Sequence, residues 1–335
     1  MLPLTYQALV VRRNESGTCT RAIETKSTDD LPDGEVLVRV HFSSLNYKDA
    51  LSASGNPGVT KRYPHTPGID AAGVIAWSST EALVPGTEVL VCGYDLGMNT
   101  PGGFGQYIRV PAAWVMARPE PLSLRKAMQI GTAGFTAAQC VAALLETGVR
   151  PAAGPVLVTG ATGGVGSIAV ALLSSLGFAV TAVTGKEQEH DFLASLGADK
   201  ILSRNQAATG REKMLLRERW AGVVDTVGGD ILANAIKAAC YGGTVTCCGN
   251  ASSGELPLNV YPFILRGVRL IGIDSARFPL EKRKKIWDKL AHEWDIPYLE
   301  KMSRTIRLNE LSSAIDRMLQ GGVKGRIVID LREDV

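Results

Sequence analysis

Long apolar runs, C-x-x-C cysteine pairs, metal-ligand spacings of histidine and a strong charge of one sign are all missing from this 335-residue chain. Its apolar stretches are broken by Gly, Ser or Thr well before a bilayer's width, so a soluble protein without a membrane span is expected. The N-terminus, MLPLTYQALVVRR, has no long apolar core and no small-residue cleavage site, so no signal peptide is expected. The 36 basic and 33 acidic residues leave a net charge of +3, too mild to imply nucleic acid or a membrane surface. A local basic patch for an anionic substrate is still compatible with that balance. Six cysteines stand at 19, 92, 140, 240, 247 and 248, none in a C-x-x-C pair and most in apolar runs such as GGTVTCCGN. Free thiols of that kind point to a reducing cytoplasm rather than a disulfide framework. Four histidines (His41, His65, His190, His292) are scattered, without the spacing of a metal site.

What is present changes character along the chain. Its length suits two domains, and 45% apolar with 21% charged residues is the balance of a globular protein. Up to about residue 120, short β-like runs (QALVVRR, GEVLVRVHF, AGVIAW, TEVLVCG, GQYIRV) alternate with turn signals at Pro32-Asp33-Gly34, Asn56-Pro57-Gly58 and Pro85-Gly86. Ser123 opens an Ala-rich helix running to Glu146, with Gly148 as C-cap and Pro151 beyond. Strand and helix signals then alternate. VLVTG, FAVTAVTG, KIL, GVVDTVG, GTVTCCG and VRLIGID read as strands; helices through SIAVALLSSL and EHDFLASL stop at Gly177 and Gly197. That alternation predicts βαβ units and a parallel sheet covered on both faces, an α/β fold. Two amphipathic helices (EKRKKIWDKLAHEW and NELSSAIDRMLQ) and a strand, GRIVIDL, follow.

The strongest local signal is Val156-Leu-Val-Thr-Gly-Ala-Thr-Gly-Gly-Val-Gly-Ser167. An apolar strand enters a turn carrying Gly160, Thr162, Gly163, Gly164, Val165 and Gly166, and a helix starts at once. A dinucleotide's pyrophosphate needs backbone N–H groups at close range and gains from a helix N-terminus, and a side-chain-free turn allows both. A glycine pattern alone is weak; its place between strand and helix inside a βαβ series confirms it. About twenty residues on, an NAD-binding chain presents a carboxylate to the ribose 2′-hydroxyl. Here the strand ends in Thr184-Gly185-Lys186, and Arg204 follows the third strand. With no acid to repel a 2′-phosphate and Thr184, Lys186 and Arg204 to bind it, NADPH is the expected cofactor.

Several stretches together resemble the zinc-free quinone-oxidoreductase branch of the medium-chain dehydrogenase/reductase superfamily. They are Ser44-Leu-Asn-Tyr-Lys-Asp49, Pro67-Gly-Ile-Asp-Ala-Ala-Gly73, Gly102-Gly-Phe-Gly-Gln-Tyr107, Gly131-Thr-Ala-Gly-Phe-Thr-Ala137, Val158-Thr-Gly-Ala-Thr-Gly-Gly-Val-Gly166 and Lys324-Gly-Arg-Ile-Val. More closely, LNYKDAL, GIDAAG, IGTAGFTA, VTGATGGVGS, PFILRGVRLIGIDS and KGRIVI resemble the acrylyl-CoA reductase (NADPH) subgroup. The resemblance implies a GroES-like β-rich catalytic domain over residues 1–122, completed by 276–335, and a Rossmann NADPH-binding domain over 123–275. It implies an active site in the cleft between them and a homodimer paired through the Rossmann sheet edge.

Zinc enzymes of the superfamily place a cysteine in the first active-site loop and a histidine in a Gly-His-Glu segment. Here Asn46 and Gly68-Ile69-Asp70 stand there instead, and only Cys92 lies between residues 90 and 110, so neither zinc site is expected. Without a Lewis acid, reduction of an activated double bond is the better expectation than alcohol oxidation. For an α,β-unsaturated thioester, hydride goes to the β-carbon, charge develops on the thioester oxygen and a proton reaches the α-carbon. The resemblance places Asn46 and Tyr47 beside the nicotinamide, as catalytic residues that orient it or donate to the developing charge, with Tyr47 a possible proton donor. A turn cap (Asn46) and a packing ring (Tyr47) are the plainer alternatives. Thr132 and Thr136 match positions that contact the nicotinamide side. Cys248-Gly249-Asn250 and Asp274-Ser275 follow strands on the carboxyl edge of the sheet, where their backbone meets the carboxamide. Arg326 is a candidate to reach cofactor or substrate. Asp225 is expected to be structural, and Lys48 with Asp49 to form an ion pair. Lys61-Arg62 and Glu281-Lys-Arg-Lys-Lys285 are cations that coenzyme A phosphates could use, though the second run also reads as a solvated helix face.

The leading expectation is therefore metal-free, NADPH-dependent reduction of acrylyl-CoA to propanoyl-CoA. The alternatives are an NADPH:quinone oxidoreductase and a non-catalytic NADPH-binding protein, the latter opposed by the intact Asn46, Tyr47 and cofactor loop. No basic patch or stacking motif suggests a nucleic-acid partner.

Overall fold

The chain is described here from a computed structural model covering residues 4–332. It divides into two compact units. One takes residues up to Thr132, Ala276–Ala291 and Ser303 onward; the other takes Ala133–Ser275 and His292–Met302.

Along the chain, β1 (Thr5–Arg13) and β2 (Cys19–Ser27) form an antiparallel hairpin. β3 (Val36–Leu45) runs straight into helix α1 (Tyr47–Ala53), followed by β4 (Asp70–Ser78), β5 (Glu88–Cys92), β6 (Tyr107–Val110) and β7 (Met116–Ala117). Helix α2 (Leu124–Glu146) leads into β8 (Val156–Val158), α3 (Gly164–Ser175), β9 (Val180–Thr184), α4 (His190–Ser195), β10 (Lys200–Ser203) and α5 (Arg204–Ala207). β11 (Trp220–Asp225), α6 (Gly229–Lys237), β12 (Ala239–Cys247), α7 (Tyr261–Arg266) and β13 (Arg269–Gly272) come next. The remainder is α8 (Leu280–His292), β14 (Ser303–Arg307), α9 (Leu311–Leu319) and β15 (Arg326–Asp330).

In the first unit a sheet runs β14-β15-β3-β4-β5-β7, with β6 also paired to β3. β3 is its hub, flanked by β15, β4 and β6, and nearly all of VLVRVHFSSL is buried. Val36, Val38, Val40 and Leu45 join Val89, Val91, Ile108, Ile315, Ile327 and Ile329 in one apolar core. Each such side chain contributes roughly 1.5–3 kcal/mol by burial. That core anchors the end of β3 and the start of β15, and so the residue just beyond β3, Asn46, and the first residue of β15, Arg326. In α8, Arg283 turns inward over the Tyr94 ring (4.8 Å) while Lys282, Lys284 and Lys285 stay exposed. The basic run is mostly a solvated helix face, as its plainer alternative had it.

The second unit holds a wholly parallel sheet in the order β10-β9-β8-β11-β12-β13. Counted from β8 this is 3-2-1-4-5-6, the doubly wound order whose switch point lies between the first and fourth strands. VLV of β8 and the VV of β11 are buried on both faces, the pattern a parallel strand needs under helices on either side. Helix α2 is long and apolar enough to cross a membrane, but 78% of its apolar window is buried in protein, which makes it a core helix.

α2 is not continuous. At Gly131 the backbone turns to φ 51°, ψ −161°, a conformation that L side chains avoid. The break frees the carbonyl of Gln129 and the amide of Thr132 from helical bonding, and both find other partners.

Candidate active site

In the parallel-sheet unit, the carboxyl ends of β8 and β11 are clamped together at the switch point. Thr159 Oγ1 donates to Asp225 Oδ1 (2.7 Å) and accepts from Thr226 N (3.0 Å), and Thr226 Oγ1 donates to Thr159 O (2.9 Å). Gly228 N donates to Asp225 Oδ2 (2.8 Å). Asp225 is fully buried; burial pushes its carboxyl up, and the Thr159 and Gly228 donors pull it back. Its carboxylate joins the end of β8 to the turn after β11.

The glycine loop leaves β8 beside this clamp and enters α3. Gly163 N donates to Gly160 O (2.9 Å), closing the turn. A Cβ on Gly166 would stand 2.4 Å from Gly160 O, so only glycine lets the first turn of α3 pack against the loop. Gly163 caps α3 without any side-chain acceptor, which leaves the donors of its first turn to an outside partner. Thr162 is buried under the loop, and Gly163, Gly164 and Val165 are half-buried at its surface. A twelve-residue helix starting in an uncapped, side-chain-free turn fits a pyrophosphate.

At the end of β9, Thr184 is buried and its Oγ1 accepts from Lys186 N (3.0 Å). Arg204 begins α5 and folds over Gly185, whose Cβ, if present, would lie 2.6 Å from the guanidinium Nε. Thr184, Lys186 and the Arg204 guanidinium therefore stand at the end of β9, where an NAD-binding chain sets its carboxylate. Cys248, Gly249 and Asn250 follow β12, and Asp274 and Ser275 follow β13; Ile273 N donates to Cys247 O (2.9 Å), keeping the two loops side by side. Cys248 Sγ donates to Asp225 O (3.3 Å), and a hydrogen bond with Cys140, with burial adding to it, raises this thiol far above the usual range. Thr136 is buried within α2 in the same unit.

The β-rich unit brings together Asn46, Thr132 and Arg326, around a residue the sequence had not singled out, Asp70. The Asp70 carboxylate is fully buried. Oδ1 accepts from Thr132 Oγ1 (2.6 Å); Oδ2 accepts from Thr132 N (2.9 Å), Ser44 Oγ (2.6 Å) and Asn46 Nδ2 (2.8 Å). Arg326, only 2% exposed, donates from Nε to Gln129 O (3.0 Å), from Nη1 to Asn46 Oδ1 (3.2 Å) and from Nη2 to Ser44 Oγ (2.9 Å). Burial lowers Arg326, and the charges of Asp70 and Asp49 oppose the drop. The Gln129 carbonyl and Thr132 amide used here are the two groups released by the break at Gly131.

Asn46 and Tyr47 part company in this setting. The Asn46 amide turns inward, donating to Asp70 Oδ2 and to Ser44 O (3.2 Å) and accepting from Arg326, so its polar atoms are all engaged. Tyr47, first residue of α1, is 50% exposed. The expected Lys48–Asp49 ion pair does not form. Asp49 points inward and accepts from Asn46 N and Ile69 N (2.8 Å each), while Lys48 is half-buried and makes no ion pair with it. In the third position of α1, Asp49 staples the helix start to the Gly68-Ile69 strand entry by accepting from two backbone donors. Burial, with Asp70 adding to it, pushes Asp49 up to about 7 against the pull of its two backbone donors. Among the described residues no three His, Cys, Asp or Glu side chains gather where they could hold a metal ion.

Comparison with known proteins agrees with both units. The model of the alcohol dehydrogenase GroES-like domain matches residues 32–120, and that of the zinc-binding dehydrogenase matches 164–292. A GroES-like and a Rossmann unit in one chain define a class, and the chain belongs to the medium-chain dehydrogenase/reductase superfamily. Within it, acrylyl-CoA reductase AcuI of Ruegeria pomeroyi is 44% identical, over 97% of this chain and 99% of that protein. The crystal structure of Escherichia coli K-12 YhdH with bound NADPH superposes with a TM-score of 0.94 at 42% identity, over 97% of this chain and all of that one. Bacillus subtilis yhfP, crystallised with NAD bound, gives a TM-score of 0.95 at 40% identity, over 98% of this chain and all of that one.

Proposed function

We propose that this protein is an NADPH-dependent reductase that converts acrylyl-CoA and a proton to propanoyl-CoA. The full-length kinship with an acrylyl-CoA reductase carries the assignment. When bound, NADPH supplies the hydride that reaches the β-carbon of the unsaturated thioester.

The chain's own residues divide the remaining work. The amides of Gly163, Gly164, Val165 and Gly166 hold the pyrophosphate, with Gly160 and Thr162 shaping the turn. Arg204, Lys186 and Thr184 hold the 2′-phosphate, and that cluster is what favours NADPH over NADH. Thr136 and the loops Cys248-Gly249-Asn250 and Asp274-Ser275 bound the nicotinamide end. Tyr47 presents an exposed phenol, supported by its place at the start of α1, to donate a hydrogen bond to the thioester oxygen and a proton to the α-carbon. Asn46, Thr132 and Arg326 hold the Tyr47 turn from behind rather than meeting the substrate.

The protein acts as a homodimer joined at the edge strand β13. That strand ends the six-stranded sheet. On the neighbouring β12 and the helix α7 that packs against it, Tyr241 is 79% exposed, Ile264 71%, Leu265 58% and, at the α7 N-cap, Val260 59%, an apolar surface near a sheet edge. Six unpaired thiols suit the cytoplasm.

Mass spectrometry of the reaction tests the function: one propanoyl-CoA should form per NADPH oxidised. NADPH consumption with a quinone and no propanoyl-CoA would instead make the chain a quinone reductase.

A further inference from the structure

A buried charge pair in the β-rich unit has its two halves joined by neutral side chains. Ser44 Oγ donates to Asp70 Oδ2 and accepts from Arg326 Nη2; Asn46 Nδ2 donates to Asp70 Oδ2 while its Oδ1 accepts from Arg326 Nη1. Anion and cation thus read opposite ends of one amide. Turning the Asn46 amide over would set its NH2 against a guanidinium, which can only donate, and its oxygen against a carboxylate. In a buried, low-dielectric setting both mismatches are severe. The pair therefore fixes one orientation of Asn46, whose backbone is the N-cap of α1 and the residue before Tyr47.

The same carboxylate ties the α1 start to the break in α2. Thr132 meets Asp70 through both its amide and its hydroxyl, and Gly131 lies so near that a Cβ there would come within 2.6 Å of Arg326 Nη2 and of Ser44 Oγ, and 2.7 Å of Asp70 Oδ2. Nothing in the glycine loop or the 2′-phosphate cluster takes part, so cofactor capture and the placing of Tyr47 are served by different residues.

We infer that Asp70 and Arg326 are positioning residues of the reductase site, acting through the bridging amide of Asn46 to hold the Tyr47 phenol where it donates. This rests on the proposed role of Tyr47, and the test separates the two. Asp70→Asn keeps the size of the side chain and lets an amide oxygen face Ser44 and Asn46 with its NH2 toward the Thr132 hydroxyl. It removes the negative charge, however, so the charge-assisted bonds to the bridge are weakened and Arg326 loses its opposing charge. It should lower kcat by about tenfold or more while the KM for NADPH stays within about twofold, the signature of a group acting on the reacting end alone.

The decisive step is a double-mutant cycle with Tyr47→Phe. If Asp70 acts by placing the phenol, Asp70→Asn lowers kcat by less than about twofold once the phenol is gone. Losses that multiply would overturn the inference. A second readout needs no turnover: with asparagine labelled by 15N, the Asn46 side-chain NH2 pair, identified by its loss in Asn46→Ala, should exchange slowly with solvent in the wild type and fast in Asp70→Asn. Equal exchange in the two would also overturn it. If Asp70→Asn does not fold, Ser44→Ala removes the other bridge and takes its place in the cycle. A Tyr47→Phe enzyme with undiminished kcat refutes the role of Tyr47, and the exchange experiment then judges the Asn46 bridge by itself.

Discussion

Replacing Gly131 by Ala perturbs the β-rich unit at its most crowded point. Two contributions follow from the geometry. The backbone at φ 51°, ψ −161° lies where an L residue is strained by about 1–3 kcal/mol. The new methyl would also stand 2.6–2.7 Å from Arg326, Ser44 and Asp70, all held by several hydrogen bonds, and overpacking of that kind costs about 1–3 kcal/mol. The sum is about 4 kcal/mol, or about 8–16 °C in Tm for a domain of this size. Gly86 supplies the control in the same unit. Its φ is +91° and a Cβ there meets nothing within 4 Å, so Gly86→Ala carries the backbone strain alone, about 1–2 kcal/mol. Thermal unfolding followed by far-ultraviolet circular dichroism compares the two variants with the wild type. Gly131→Ala losing no more than Gly86→Ala would refute the packed bridge around Asp70.

Asp49 makes stability depend on pH. Its folded-state carboxyl is pushed up to about 7 from 3.8, so the native chain holds a proton there that the unfolded chain has released. The resulting stability is fully present below about pH 4 and is lost as pH rises through about 7, amounting to about 3 kcal/mol between pH 5 and 8. Denaturant melts across that range should show the wild type losing stability relative to Asp49→Asn; parallel pH profiles would count against a protonated Asp49. Lys186→Glu and Arg204→Glu should each reduce the preference for NADPH over NADH by about 10- to 100-fold, from the loss of a charge-assisted contact and added repulsion. An unchanged NADPH KM in both would move the 2′-phosphate elsewhere. Ile264→Glu should convert dimer to monomer in sedimentation with kcat retained, and a wild-type monomer would dismiss the β13 interface.

The features legible in the sequence are those set by local chemistry. The glycine loop is one, because a pyrophosphate requires bare backbone at a strand-to-helix turn, and Gly148, Gly177 and Gly197 mark helix ends because each adopts a positive φ. The strands of the parallel sheet announce themselves as apolar runs because helices cover both faces. β2, by contrast, is CTRAIETKS, a largely exposed hairpin strand with no apolar alternation to mark it. The break inside α2 is hidden in IGTAG, an ordinary Ala- and Gly-containing helical stretch. It is imposed by Asp70, which captures Thr132 from 62 residues away. Asp70 itself carries one visible signal, a lone carboxylate in the apolar run PGIDAAG, where burial demands partners. Those partners, Ser44, Asn46 and Thr132, are brought to it by long-range pairing of β3 with β4 and by the path of α2, which no local pattern encodes. Arg326 reads as a cation free to meet a ligand until β15 pairs with β3 and seals it inside.

The account stands or falls most directly on initial rates of NADPH oxidation at 340 nm with the purified protein, comparing acrylyl-CoA with a simple quinone and NADPH with NADH. Fast turnover on acrylyl-CoA, with NADPH far ahead of NADH, is the predicted result. Turnover on the quinone alone, or equal rates with the two cofactors, would contradict it.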